Sequence, residues 1–135
     1  MFPWFYLSVR RVGCFRDTSR RAIPQMDGRS VLLRGNYQRR PLAIRKCALV
    51  AAARGYKWFG IQHGGWCATG PHAGRTYAKY GRSNRCRNGK GGPWANDVYR
   101  IIGETVFGEI SSFQIGKLAY INSSSIEISN VHNIT

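Results

Sequence analysis

The apolar positions of this chain follow helical spacing in one stretch and alternate in several others. The helical stretch is RRPLAIRKCALVAAARGY, residues 39–56, in which Ala43, Cys47, Val50, Ala51 and Arg54 share one face at 3.6-residue spacing. Pro41 suits a first helical turn and Gly55 a C-terminal cap, so a helix is predicted over about residues 41–54 with Cys47 pointing into the core. In KWFGIQHGGWC, Phe59 and Ile61 fall on one face of a predicted strand and Trp58, Gly60 and Gln62 on the other, before Gly64-Gly65 breaks or bulges it. RVGCFR reads as a short strand through Val12, Cys14 and Phe15, followed by a polar turn at Asp17, Thr18 and Ser19. PWANDVYRII supplies a last strand behind a Gly-Gly-Pro turn. Residues 25–40 are irregular, with turns at Asp27-Gly28 and Gly35-Asn36, and residues 69–92 are loop-like. The pattern is that of an α+β fold, one main helix packed on a short antiparallel sheet. Beyond it, alternations at Phe113 and Ile115 and at Ile126 and Ile128 suggest one or two further strands.

Charge divides the chain. Twenty of the 21 lysines and arginines lie between Arg10 and Arg100 against three aspartates, a net +17, whereas Lys117 faces Glu104, Glu109 and Glu127 in the remainder, a net −2. The change marks a domain boundary near residue 102, with residues 1–9 a separate N-terminal segment, 10–102 the domain and 103–135 a tail. A field this positive draws polyanions, among them acidic glycans, nucleic acid and anionic membrane faces. Arginine outnumbers lysine 16 to 5, which favours forked contacts with carboxylate, sulfate or phosphate.

The four cysteines at 14, 47, 67 and 86 contain no CxxC pair, and gaps of 33, 20 and 19 residues do not suit a zinc ribbon or finger. Two disulfides in an oxidising compartment fit better. Sequons at Asn122 and Asn133 agree with secretion. MFPWFYLSVRR places its apolar run before its charges, the reverse of a signal peptide, so the start is expected to be incomplete or the protein not exported in this form. No apolar run approaches the roughly 18 residues needed to cross a bilayer.

GCFRD at 13–17, RAI at 21–23, Cys47 in a helix, GYKWFGIQHGGWC at 55–67, Gly70, Cys86 and WANDVYRI together resemble the WSC domain over about residues 10–102. This is a small extracellular cysteine-rich module, with eight cysteines in a typical member. Here the third would fall at Ala51 and the fifth at Thr69, and the seventh and eighth are missing near GKGGPW. Cysteines lost as whole pairs leave no orphan thiol, and the resemblance then implies Cys14–Cys86 and Cys47–Cys67, in a four-cysteine variant similar to those of extracellular invertebrate proteins. An inward-facing Cys47 and a strand folding back after Gly55 are compatible with the second link.

His63, Cys67 and His72 would be the raw material for a metal site or a thiol nucleophile, but a cysteine held in a disulfide is neither. Three histidines, six acids and no spaced carboxylate pair leave little for acid–base chemistry, and NGKGG lacks the remainder of a phosphate-binding loop. No catalytic residue, metal or cofactor is expected. Sugar binding has more to work with, because aromatic faces hold apolar sugar faces while polar side chains fix hydroxyls. Tyr56, Phe59 and Tyr99 are assigned to the core. Trp66, Tyr77 and Tyr80 are assigned to loops as stacking residues, with Trp58 and Trp94 as further candidates and Arg75, Lys79, Arg82 and Arg85 meeting acidic groups. The resemblance implies a secreted polysaccharide-binding module; the alternative is a structural or protein-interaction module. Nucleic acid is a third reading, disfavoured by paired cysteines and sequons.

Overall fold

The computed structural model describes residues 4–107 and 125–128; both sequons, Asn122 and Asn133, and the alternation at Phe113 lie outside the described residues. Helix α1, Ala43–Ala53, begins two residues later than its pattern predicts, because Leu42 sits in the left-handed region at φ 56° and turns the chain into the helix. It ends as Gly55 allows: at φ 76° the glycine directs its N–H to the Ala52 carbonyl and the Tyr56 N–H to Ala51, each at 2.9 Å. One face carries Cys47, Ala48, Val50 and Ala51, all fully buried, so burial on the sheet stabilises a helix too short to stand alone.

Five antiparallel strands make the sheet: β1 Trp4–Arg16, β2 Trp58–Gln62, β3 Trp66–Thr69, β4 Ala95–Phe107 and β5 Ser125–Ile128, in the order β3-β2-β4-β1-β5. A small disulfide-stabilised α+β domain results. β1 is continuous across the boundary expected after residue 9, with Leu7 and Val9 in the core, and β4 is continuous across the one expected after residue 102. The physical reason is register: β1 and β4 remain paired from Arg16↔Ala95 to Trp4↔Phe107, through two bulges on the way. The alternation at Ile126 and Ile128 becomes β5, paired with Phe5–Ser8. Gly64-Gly65 does more than bulge a strand; with His63 it forms the turn of a β2–β3 hairpin. The loop-like region after Thr69 contains one short helix, α2, Ala73–Thr76, and the irregular segment 25–40 holds two 3-10 turns at Val31–Leu33 and Tyr37–Arg39.

The alternation of β2 separates two cores. Phe59 and Ile61 face α1 with Leu7, Val9, Cys67, Tyr99 and Ile101, and the rings of Phe59 and Tyr99 stack across strands at 5.2 Å. Trp58 faces the other side, where Phe15, Ile23, Trp66, Ala68, Ala73 and Val98 are covered by the loops after β1 and β3. Cys47–Cys67 ties α1 to β3 with Cα atoms 5.5 Å apart, and Cys14–Cys86 ties β1 to the 82–90 loop at 5.9 Å. No helix among the described residues is long and apolar enough to cross a membrane.

Candidate functional site

The loop-covered face of the sheet ends in a short turn, Gly92-Pro93-Trp94-Ala95, closed by an Ala95 N–H to Gly92 carbonyl bond of 3.1 Å. Proline leads, and the next residue has φ 53°, where turns of this kind ordinarily place glycine. That residue is Trp94. The left-handed backbone costs an L-residue about 1–2 kcal/mol, yet the side chain left there is large and 47% exposed. A large aromatic ring held in solvent by a left-handed turn is a candidate binding position; Leu42, at φ 56° and as exposed, shows that the backbone angle alone does not make one.

Behind Trp94 lies a stack that joins distant parts of the chain. The Arg21 guanidinium sits 4.7 Å from the Trp94 ring centroid and 4.4 Å from that of Trp66, sandwiched between two indoles. Asp17, whose side chain is fully buried, holds the arginine in place. One of its oxygens accepts from Arg21 at 2.9 Å and from Gln62 Nε2 at 2.8 Å, the other accepts from the Ala22 N–H at 2.9 Å, and its own N–H donates to the Trp94 carbonyl at 2.9 Å. Gln62 also donates to Asn96 at 2.9 Å, so the network reaches into β4. A buried carboxylate with several charge-assisted partners is rigid, which pre-organises the ring it supports.

Two clefts meet at Trp94. One, about 220 Å³, is aromatic and polar, lined by Arg21, Tyr37, Gln62, His63, Trp66 and Trp94. The other, about 620 Å³, is mostly basic: Arg16, Arg82 and Arg85 line it with Ser83, Asn84 and Asp17, whose carboxylate is committed to Arg21. Arg16 Nε donates to the Arg82 carbonyl at 3.1 Å, the Ser83 N–H to the Cys14 carbonyl at 3.0 Å, and the Cys14–Cys86 bond anchors the same loop. Each of the three aspartates is already engaged with one arginine, Asp17 with Arg21, Asp27 with Arg40 and Asp97 with Arg11. None of these aspartates pairs with Arg16, Arg82 or Arg85, so the cleft keeps its charge for an anion.

Of the residues expected to stack, only Trp94 offers a largely open ring. Trp66 is not a loop residue: it begins β3, 8% exposed, because its partner Gln62 and the overlying Arg21 enclose it. Tyr77 follows α2 and is spent on packing, with one face on Trp58 at 4.9 Å and Phe15 edge-on at 4.9 Å. Tyr80 is half-buried and donates its hydroxyl to the Arg20 carbonyl at 2.5 Å, with Lys79 above its ring at 5.0 Å. Trp58 is half-buried between Tyr77 and the Arg100 guanidinium. Arg82 and Arg85 join Trp94 at the basic cleft, while exposed Arg75 lines a separate cleft beside Trp58 and exposed Lys79 lines neither. Arg16, Asp17, Arg21 and Tyr37 are site residues that sequence reasoning passed over.

All four cysteines are in disulfides, so His63 and His72 have no thiol to activate. Among the described residues no three His, Cys, Asp or Glu side chains gather as a metal site would require. The pronounced pKa shifts lie away from Trp94. Burial, then the nearby Asp97 carboxylate, pushes the Tyr99 phenol up to about 12, with Arg11 pulling the other way; burial and then Arg40 lower Lys46. No protein-family model, no curated protein and no solved structure matches the chain.

Proposed function

We propose that this chain is a non-catalytic, WSC-like carbohydrate-binding module of an extracellular protein, and that it holds an acidic polysaccharide across Trp94. The observation that carries the reading is the strained, exposed Trp94 ring set between an aromatic cleft and an arginine cleft. A sugar ring stacks on the indole, and its carboxylate or sulfate reaches Arg16, Arg82 or Arg85. Further support comes from the pairing Cys14–Cys86 and Cys47–Cys67, which is the set implied by the resemblance to WSC domains, and from disulfides as such, which belong to oxidising compartments.

The test is affinity for a polyuronate, a sulfated polysaccharide and a neutral glucan, each at low and high salt. Trp94→Ala should weaken all binding by at least about tenfold, the loss of a single aromatic anchor. Arg82→Ala with Arg85→Ala should remove the preference for acidic over neutral chains and with it the salt dependence. Unchanged polysaccharide affinity in Trp94→Ala refutes the reading. One observation favours a second reading, a docking module for a protein partner: with Trp58, Trp66 and Tyr77 committed to packing, Trp94 stands as one isolated anchor ringed by arginines, the composition of an interface hot spot. Failure to bind every polysaccharide would favour it.

A further inference from the structure

At the opposite end of β2 from Trp94, and midway along β4, a second basic surface crosses the sheet. Arg10 on β1 is directly opposite Arg100 on β4, and Arg100 is directly opposite Trp58 on β2. Residues opposite one another on paired strands share a sheet face, so the three form one row, on the face that also carries Gln62. Both arginines are exposed. Like charges placed directly across a strand pair repel and destabilise it, and the three aspartates are engaged with Arg11, Arg21 and Arg40 instead. The row lines a cleft of about 490 Å³ with Lys57 and Ile102. A fold that sets two arginines side by side on its surface, with none of the three aspartates paired to either, concentrates positive charge where an anion can bind.

We infer that the Arg10–Arg100 row is a second anion-binding site, which takes a sulfate or carboxylate of the same acidic polysaccharide; this rests on the glycan reading of the Trp94 clefts. The two sites differ in chemistry. At Trp58 one ring face is stacked on Tyr77 at 4.9 Å and the Arg100 guanidinium lies 5.4 Å from the ring centroid, so the indole supports the arginine and offers no platform of its own. Binding there is by charge alone and falls steeply with salt, whereas Trp94 contributes stacking that salt does not screen. The absence of a free ring face also disfavours single-stranded nucleic acid, which needs aromatic platforms for its bases. Trp58 and Gln62 are four residues apart on β2, so the sites are separated by about 13 Å along the strand. A polymer lying along this face meets both, and a disaccharide meets one at a time.

A titration of the protein with a sulfated disaccharide, followed through the indole N–H signals of Trp58 and Trp94 by NMR, tests this. Both signals are expected to shift. Arg10→Ala with Arg100→Ala should weaken the response at Trp58 by at least about tenfold and leave Trp94 within about twofold, and Trp94→Ala should leave the Trp58 response intact. A stationary Trp58 signal while Trp94 moves overturns the second site and spares the first. Movement of Trp58 alone supports the second site and defeats the Trp94 reading. A Trp58 response that survives in the double variant, or no response at either ring, overturns the row as a site. A single-stranded oligonucleotide that moves Trp58 at about a tenth of the disaccharide concentration, in the same salt, assigns the row to nucleic acid and overturns the polysaccharide as its occupant.

Discussion

Alanine is ordinarily a better residue than glycine in folded chain, and at position 94 the order should reverse. Trp94→Ala and Trp94→Gly remove the same indole, with its contacts to Arg21 and to the two clefts, so packing cancels in the comparison. What remains is the backbone at φ 53°. A Cβ there costs about 1–2 kcal/mol, while glycine loses about 0.5–1 kcal/mol more in conformational freedom on folding. The difference leaves the glycine variant more stable by about 0.5–1 kcal/mol, or a Tm higher by about 2–8 °C for a domain of this size. Paired urea and thermal unfolding curves measure it. Equal loss of polysaccharide affinity in the two variants is the companion expectation, since neither keeps a ring. If the alanine protein is as stable as the glycine protein or more so, the left-handed turn is not what holds Trp94 outward, and strain is no evidence for its role.

Joint replacement of Cys14 and Cys86 by alanine opens a link between residues 72 apart, and loop-closure entropy puts the cost at about 4.4 kcal/mol at 25 °C. Urea unfolding should show it, together with weaker binding of acidic polysaccharide because the Arg82–Arg85 loop is no longer pinned to β1; a cost below about 1 kcal/mol would refute the entropic account. Tyr99 sets an alkaline limit. Its phenol, normally near 10, is raised to about 12, so the stability it contributes is whole below pH 10 and lost as pH climbs through 12. The loss is about 2–3 kcal/mol by linkage, and Tyr99→Phe should flatten stability over that window; an equal decline in that variant would count against the assignment.

What could be read from the chain was local or covalent. The α1 face, the Gly55 cap and the opposed faces of β2 depend on near neighbours, and 3.6- and 2-residue periods carry them directly. The disulfide pairing came through the ordered cysteines and the resemblance they carry. The Trp94 site was harder, because it is made by long-range contacts. Arg21 reaches Trp66 and Trp94 from the loop after β1, and Asp17 meets Gln62 from 45 residues away. DTSRR reads as a polar turn, and nothing in its spacing announces that an aspartate and an arginine four apart will be folded between two indoles. Trp66 was misplaced for a related reason: two glycines before it suggest a loop, but they make the hairpin turn that returns it to the sheet. The sharpest local signal was Pro93-Trp94, a turn with tryptophan in the glycine position, and its meaning depended on a torsion angle.

The two cross-links differ in how deeply they are set. Cys47 and Cys67 are wholly sealed from solvent, while Cys14 and Cys86 are half-buried near the rim. A small thiol reductant can therefore reach the outer bond in the intact molecule but meets the inner one only when α1 and β3 come apart. The inner sulfurs thus act as a clock for separation of the helix from the sheet, and the outer pair as a gauge of local breathing around the arginine loop, both readable in one molecule without any added label.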